Sequence, residues 1–153
     1  MRPLSFTSEI TLTMAAAAVA EQILDLKRWP DFRGWGPLPG ISKAEFAYRS
    51  PTEVGTRIHV LNRDGSRHAE EILEWQPDQR VQLVLQDFTR PVSWLATHFV
   101  ETWDFRAVPQ GTHVRRSFSL FPRSPWARPV LCLIAWLLKR AVARHLEDLK
   151  QAG

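Results

Sequence analysis

The stretch THFVETWDFRAVPQGTHVRRSFSLF, residues 97–121, consists of two runs of alternating side chains on either side of a Pro-Gln-Gly turn. Alternation with a period of two is typical of strands with one buried face, and a short turn makes two such runs pair antiparallel. We therefore predict a hairpin of strands at Thr97–Ala107 and Thr112–Phe121. The aromatic-rich faces should point into the protein, and their members are Phe99, Glu101, Trp103, Phe105, Val114, Arg116, Phe118 and Leu120.

Shorter strands precede this hairpin. The sequence predicts them at Ser5–Thr13, Ile41–Arg49, Thr56–Asn62, Arg67–Trp75 and Arg80–Asp87. After residue 40, most of the loops that connect the predicted strands are short and rich in turn-forming residues. These strands should therefore form an antiparallel meander. The chain therefore contains about seven strands.

Helices are predicted before and after the meander. An Ala-rich helix should run over Met14–Leu26, Trp29-Pro30 interrupts it, and a second short helix is expected at Asp31–Gly36. The segment Pro125–Gln151 should form a helix of roughly 35 to 40 Å. Its buried stripe is predicted to contain Val130, Ile134, Leu137, Ala141, His145 and Leu149. The order of elements predicts an α+β fold in a single domain over residues 1–153.

Composition limits the partners of the protein. The net charge of +4 comes from scattered arginines without a clustered basic run, so nucleic-acid binding is not expected. The single Cys132 excludes an internal disulfide, and the five histidines lack close ligand spacing, so neither a metal site nor a cofactor is predicted. The strongest apolar run, Pro129–Leu138, is about half the length that spans a bilayer, and we expect a cytoplasmic location.

Several short motifs occur in the same order as these elements. They are Trp29-Pro30-Asp31-Phe32, Glu53-Val54-Gly55-Thr56, Trp75-Gln76-Pro77, Glu101-Thr102-Trp103-Asp104-Phe105 with Gly111-Thr112, and the final helix from Lys139-Arg140 to Leu149. Together they resemble the SRPBCC (START-like) superfamily, in the branch of polyketide cyclase/dehydrase and lipid-transport proteins. The resemblance implies a helix-grip fold, in which a curved antiparallel sheet wraps around a long C-terminal helix and encloses an apolar cavity.

The resemblance also implies a range of functions. Similar domains serve as lipid carriers, ubiquinone-binding proteins, hormone receptors and aromatase/cyclases, and a shared fold does not select among them. The first hypothesis is binding or transport of a lipid, quinone or polyketide-like molecule. The second is an aromatase/cyclase or dehydratase acting on a polyketide-like chain, and the third is a module that docks on a membrane or another protein.

Polar residues on the predicted inward faces are candidates for ligand recognition or proton transfer. Glu101 and Arg116 could form an inward ion pair that binds an oxygen of the ligand, or they could pair structurally or reach the rim of the sheet. Glu71 would face Ile58 and point inward if Asp64-Gly65 forms a two-residue turn, and a bulge would instead place it outside. No catalytic residue is assigned.

Aromatic and aliphatic side chains complete the predicted wall. Trp35 and Trp94 should border the mouth of the cavity, where each could act as a lid or pack in the core. His59 and His68 are expected to face solvent, and His145 to be a core histidine. The full predicted ligand-binding set is Trp35, Tyr48, Glu71, Trp75, Trp94, Phe99, Glu101, Trp103, Arg116, Phe118, Leu133 and Leu137.

One face of the last helix has no obvious partner within the chain. Trp126, Cys132 and Trp136 fall away from the predicted buried stripe, and Arg128, Lys139 and Arg140 flank them. Such a surface could dock peripherally on an anionic membrane or form a homodimer contact. Alternatively, the preceding loop could cover it.

Overall fold

The computed structural model describes residues 2–152, and its elements largely follow the predicted order. The strands are β1 (Leu4–Leu12), β2 (Gly34–Trp35), β3 (Leu38–Pro39), β4 (Ile41–Tyr48), β5 (Arg57–Asn62), β6 (Arg67–Gln76), β7 (Arg80–Gln86), β8 (Ala96–Val108) and β9 (Gly111–Pro122). The helices are α1 (Ala16–Leu24), α2 (Val92–Leu95) and α3 (Arg128–Ala152), with 3₁₀ helices at Leu26–Asp31 and Pro125–Ala127.

Seven of the strands within residues 2–152 form one antiparallel sheet in the order β1-β9-β8-β7-β6-β5-β4. Neighbours along the chain from β4 to β9 are neighbours in the sheet because the connections between them are short. β1 pairs with β9, so β1 and β4 are the two edges and the sheet is not closed. This arrangement, with the long helix α3, confirms the predicted α+β helix-grip fold.

The core lies between one face of the sheet and the helices α1 and α3. On α3 the buried side chains are Leu131, Leu137, Leu138, Ala141, Val142, Leu146 and Leu149. The stripe predicted from the sequence is therefore correct over most of the helix and wrong at Val130, which is exposed. Leu131 is buried in its place because the first turn of α3 presents the neighbouring position to the sheet.

The segment between β1 and β4 differs from the two helices that were predicted there. α1 ends at Leu24, and the 3₁₀ helix Leu26–Asp31 includes Pro30. The second helix predicted at Asp31–Gly36 is wrong, because β2 and β3 form a two-stranded hairpin there. Gly34 has φ +74° and lies so close to the β3 backbone that an added Cβ would overlap it, so glycine is required at this position.

The hairpin between β5 and β6 has a different register from the predicted one. The chain turns through a three-residue loop in which Asn62 N donates to Ser66 O at 2.8 Å and Gly65 has φ +89°. The extra loop residue shifts the pairing by one, so that Ile58 faces Glu70 and Arg57 faces Glu71. A shift of one residue exchanges the two faces of a strand.

Candidate ligand-binding cavity

A cavity of about 340 Å³ lies between the inner face of the sheet, α3, α1 and the first 3₁₀ helix. Apolar side chains form most of its wall, among them Ile23, Leu85, Phe88, Ile134 and Leu138. Its volume is at the lower end of the range for small-molecule sites, which is about 300–1,000 Å³. Six of the fifteen Trp and Phe side chains of the sequence line this cavity, and they are Trp29, Phe32, Phe88, Phe99, Trp103 and Phe118.

The mouth of the cavity is marked by the lining residues that are exposed to solvent. These residues are Asp31, Pro37, Asp64, Arg67, Thr89 and Pro91. They belong to the first 3₁₀ helix, the β2–β3 turn, the β5–β6 loop with the start of β6, and the loop that leads into α2. Thr89 N donates to Arg67 O at 3.0 Å, which joins two of these loops at the opening.

Arg116 is the central polar residue of the cavity. It is buried, its Nε donates to Glu101 Oε2 at 2.6 Å, and its Nη1 lies 2.8 Å from His145 Nδ1. Its guanidinium carbon lies 4.2 Å from the centroid of the Trp103 ring, as in a cation–π contact. Within residues 2–152 the remaining terminal nitrogen, Nη2, has no hydrogen-bond partner.

His145 is an uncharged acceptor in this arrangement. Burial lowers its pKa to about 3, and the neighbouring positive charges of Arg116 and Arg28 add to the shift. Arginine has only N–H donors, so His145 Nδ1 must accept from Arg116 and the ring proton lies on Nε2. The edge of the ring meets Phe32 in a T-shaped contact with centroids 5.6 Å apart.

Glu101 is held in an environment that disfavours its charged form. Burial raises the pKa of the Glu101 carboxyl against the opposing charge of Arg116, and the nearby Glu70 adds to the rise. Because burial is the largest cause, a proton on this carboxyl is more stable than it would be in water. The Glu101–Arg116 pair can therefore exchange a proton with a ligand or bind an oxygen of it.

A second polar pair, His68 and Glu70, lies on the same inner face. His68 Nε2 and Glu70 Oε2 are 2.9 Å apart, both side chains are buried, and both residues line the cavity. The expectation that His68 faces solvent is wrong, and of the two alternatives left open for Glu71 the inward one is wrong, because Glu70 occupies the inner face. The three residues between Asn62 and Ser66 end in glycine, which is typical of a three-residue hairpin loop. This signal could have indicated the correct register.

Two buried polar atoms on the cavity wall have no hydrogen-bond partner within the described residues. They are Gln22 Oε1, an acceptor on α1, and Arg28 Nε, a donor on the first 3₁₀ helix. A buried polar atom without a partner is costly, by about 1–3 kcal/mol. These atoms are therefore candidates for contact with a polar group of a ligand.

Half of the predicted ligand-binding residues line the cavity. They are Phe99, Glu101, Trp103, Arg116, Phe118 and Leu137. The structure brings these residues together because the β8–β9 hairpin keeps its alternation from one end to the other, with Trp103 opposite Arg116 and Glu101 opposite Phe118.

The other predicted residues lie outside the cavity wall. Tyr48 ends the edge strand β4 and is 56% exposed, Trp94 on α2 is 62% exposed, and Leu133 on α3 is 57% exposed. Glu71 points outward and pairs with Arg57 at 3.1 Å.

Two further tryptophans predicted for the wall have other neighbours. Trp75 follows a bulge between Ile72 and Glu74 and packs at the margin of the core. Trp35 lies on β2, where its ring meets the edge of Trp136 at 5.5 Å. The predicted helix at Trp35 is therefore wrong, and Trp35 does not line the cavity.

Comparison with known proteins agrees with this architecture. A family model described as polyketide cyclase / dehydrase and lipid transport matches residues 3–153. The chain belongs to the polyketide cyclase / dehydrase and lipid transport family. This membership confirms the SRPBCC resemblance found in the sequence. The family description joins polyketide-modifying enzymes with lipid-transport proteins, so membership supports hydrophobic ligand binding or a cyclase role and does not select between them. No curated protein matches the chain in sequence.

Solved structures similar to this member of the polyketide cyclase / dehydrase and lipid transport family share its fold. A START superfamily protein from Mycobacterium smegmatis has a TM-score of 0.71 at 14% identity, with 99% of each chain covered. Ginseng major latex-like protein 151 from Panax ginseng has 0.65 at 12%, covering 98% of this chain and 99% of that one. StfQ, a di-domain ARO/CYC of the steffimycin biosynthetic pathway, has 0.73 at 14%, covering 98% of this chain and 50% of StfQ.

Proposed function

We propose that the protein binds and carries a small apolar molecule in the cavity, and that an oxygen atom of this molecule accepts a hydrogen bond from Arg116. The observation that supports this proposal is an apolar cavity of about 340 Å³ in which Arg116 Nη2 has no partner among the described residues. Arginine cannot lose its proton in a protein, so the donor is available at every physiological pH. Ligand sites commonly combine an apolar wall with a few convergent polar groups.

The chemical class of the ligand follows from the two kinds of surface in the cavity. Lipids, quinones and polyketide-like molecules all have an apolar body and at least one carbonyl, carboxyl or hydroxyl oxygen. Gln22 and Arg28 also line the cavity, and each has one buried polar atom without a hydrogen-bond partner among the described residues. A carboxylic acid or a hydroxylated ring meets these requirements, whereas a pure hydrocarbon would leave the polar atoms without partners.

Native mass spectrometry of the purified protein, followed by solvent extraction, is the direct test. We expect an apolar, oxygen-containing molecule bound at about one per chain. A matched pair of variants then locates it: Leu137→Trp fills the cavity wall and should abolish binding, whereas Leu133→Trp changes the exposed side of the same helix and should not. Equal binding by the wild type and both variants would place the ligand elsewhere and overturn the proposal.

A second candidate function is acid–base catalysis of the cyclase kind, which the buried Glu101–Arg116 pair favours. In an aldol-type ring closure, the Glu101 carboxylate would accept a proton from the carbon between two carbonyl groups. That carbon would form a bond to the carbon of another carbonyl group, whose C=O π bond would break, and the resulting oxygen would take the proton back from the Glu101 carboxyl. Arg116 would stabilise the negative charge that develops on a carbonyl oxygen. A raised carboxyl pKa strengthens Glu101 as a base.

Turnover distinguishes the enzyme from the carrier. A linear β-polyketone mimic is incubated with the wild type, Glu101→Gln and Glu71→Gln, and the products are analysed by mass spectrometry. If the second function is correct, cyclised product forms faster than without protein, and Glu101→Gln loses about 10²–10⁴-fold in rate. Glu71→Gln, on the outer face, should retain the rate. Recovery of unchanged mimic with every protein would contradict the enzyme and leave the carrier intact.

A further inference from the structure

The outer side of the first half of α3 carries apolar side chains that the core does not cover. Trp126 in the preceding 3₁₀ helix is 91% exposed and Trp136 is 49% exposed. Together with Leu133 on the same side of the helix and Trp94 on α2, which packs against α3, they define what we call the outer tryptophan surface. No helix within residues 2–152 is long and apolar enough to cross a membrane.

Basic side chains surround this surface, and some contact its rings directly. The guanidinium of Arg140 lies 4.4 Å from the Trp136 ring and 5.0 Å from the Trp35 ring. Arg90 lies 5.5 Å from the ring of Trp94 in the same way. Aromatic rings combined with arginines are typical of surfaces that lie at the interface between lipid headgroups and acyl chains.

The chain segments that contain the outer tryptophan surface carry charge of one sign. Residues 88–96 and 123–140 contain no Asp or Glu, and their basic residues are Arg90, Arg123, Arg128, Lys139 and Arg140. These five positive charges exceed the net charge of +4 of the whole chain. The rest of the chain is therefore close to neutral in sum, and the excess positive charge lies in the segments that contain the exposed tryptophans.

We infer that the outer tryptophan surface docks on an anionic lipid bilayer. Each Lys or Arg near such a membrane contributes about a fivefold gain in affinity, which corresponds to roughly 1 kcal/mol. A second copy of the chain fits the surface less well. A twofold contact would place the surface against itself, and the basic residues of one copy would meet those of the other without an intervening carboxylate from these segments.

Docking by this surface would also bring the cavity close to the lipid. Val92 of α2 and Ile134 and Leu137 of α3 line the cavity, while Trp94 and Leu133 of the same helices belong to the outer tryptophan surface. A docked protein would therefore have only one layer of helix, formed by α2 and α3, between its cavity and the bilayer. The docking inference itself does not require a ligand, so it can be tested separately from the proposed carrier function.

Vesicle co-sedimentation of the full chain is the test. We expect binding to vesicles of equal parts phosphatidylcholine and phosphatidylglycerol, weak binding to phosphatidylcholine alone, and release at high salt. The double variant Lys139→Glu/Arg140→Glu should weaken binding by at least about tenfold. The control Lys43→Glu/Arg106→Glu makes the same change in net charge on exposed strand residues and should weaken it less than about threefold, since those residues lie away from the surface.

The contribution of the rings is tested with a second matched pair. Trp126→Ser should weaken vesicle binding by at least about fivefold, whereas Tyr48→Ser removes an exposed ring from the edge strand β4 and should have no effect. Neither change touches the core, so folding should be preserved in both. Absence of vesicle binding, equal binding to neutral and anionic vesicles, or a Trp126-dependent dimer without vesicle binding would each overturn the inference.

Discussion

At the scale of single residues, Arg116, Glu101 and His145 differ in whether each can change its charge when one of the others is removed. Arg116 keeps its charge under all conditions, Glu101 can become neutral by taking up a proton, and His145 is already neutral near pH 7. A buried charge without a partner is strongly destabilising, whereas a buried neutral carboxyl is tolerated more easily. The effect of removing each partner should therefore depend on pH in a specific way.

Replacement of Arg116 by Met should destabilise the protein by about 3–5 kcal/mol at pH 8, because it leaves Glu101 buried without its counter-charge. The pKa of Glu101 is already raised by burial, and loss of Arg116 raises it further. A carboxyl with a raised folded pKa costs stability as pH rises above the unfolded value, so the loss should be smaller at pH 5. Removing Arg116 also removes one of the positive charges that lower the pKa of His145. Protonation of His145 then costs less stability at pH 5, which also makes the loss smaller at that pH.

Urea denaturation at both pH values measures this effect. The control is Arg80→Met, which removes an exposed arginine that pairs with Asp104 at 2.7 Å. Exposed pairs contribute about 0–1 kcal/mol, so this variant should change little at either pH. An Arg116→Met loss as small as that of Arg80→Met would contradict the buried-pair interpretation.

His145 should make the wild type sensitive to acid. Its folded pKa of about 3 lies below the ordinary value of 6.5, so between these values the unfolded chain takes up the proton first. Stability is therefore lost as pH falls from about 6.5 towards 3, with a slope approaching about 1.4 kcal/mol per pH unit. In His145→Gln this pH-dependent loss of stability should disappear. His59→Gln, which changes an exposed histidine, should keep it.

The measurement is the free energy of unfolding of the three proteins at several pH values between 4 and 7. Glutamine keeps an oxygen that can accept from Arg116, so His145→Gln should still fold. Parallel curves for the wild type and His145→Gln would show that His145 titrates normally.

At the scale of elements, the accuracy of the sequence interpretation depended on whether strands were interrupted. β8 and β9 pair without a register shift from His98 to Val108, so parity alone placed Glu101 and Arg116 on the inner face. β6 contains a bulge after Ile72 and begins at a three-residue loop, and each irregularity moves side chains to the other face. Alternation cannot indicate where such an extra residue is inserted, and the extra residue in the β5–β6 loop is the reason that Glu70 was missed.

The β8–β9 turn fixes the register on which the polar cluster depends, and Gly111 is its critical residue. It has φ +144°, and an added Cβ would overlap the carbonyl oxygen of Leu12 at the end of β1. Gly111→Ala should therefore cost at least about 2 kcal/mol. Gly55, with φ +91° and open space around its Cα, provides the control, since Gly55→Ala carries the conformational cost alone, about 1 kcal/mol.

Thermal unfolding of the two glycine variants checks this prediction. Each kcal/mol shifts Tm by about 2–4 °C in a chain of this size, so the two variants should be resolved. Equal shifts would mean that the backbone of β1 moves away from Gly111 at no cost.

At the scale of the whole molecule, the open question in the sequence was whether its many large rings fill the core or line a space. Fifteen Trp and Phe side chains fit either arrangement, because composition contains no information on the separation between a sheet and the helix that covers it. The structure leaves about 340 Å³ between them. That separation is set by side chains of α3, α1 and the sheet together, and it emerges only when all three are in place.

A ligand that occupies this space should stabilise the fold by mass action. Decanoate has an apolar chain and a carboxylate, and at a hundred times its dissociation constant it should add about 2.7 kcal/mol, or about 5–10 °C in Tm. Arg116→Met should reduce this shift at equal decanoate concentration, because the carboxylate loses its donor. Differential scanning calorimetry with decane-1-ol as the uncharged control measures the difference. An equal shift in wild type and variant would show that the carboxylate does not contact Arg116.

The pairing of β1 with β9 has a consequence for synthesis of the protein on the ribosome. Residues 4–12 leave the ribosome about a hundred residues before residues 112–120, with which they pair. At typical translation rates the first strand waits roughly 5–20 s for its partner. During that time both of its hydrogen-bonding edges are open to other nascent chains, so the yield of folded protein should be sensitive to chaperones that shield the amino-terminal segment.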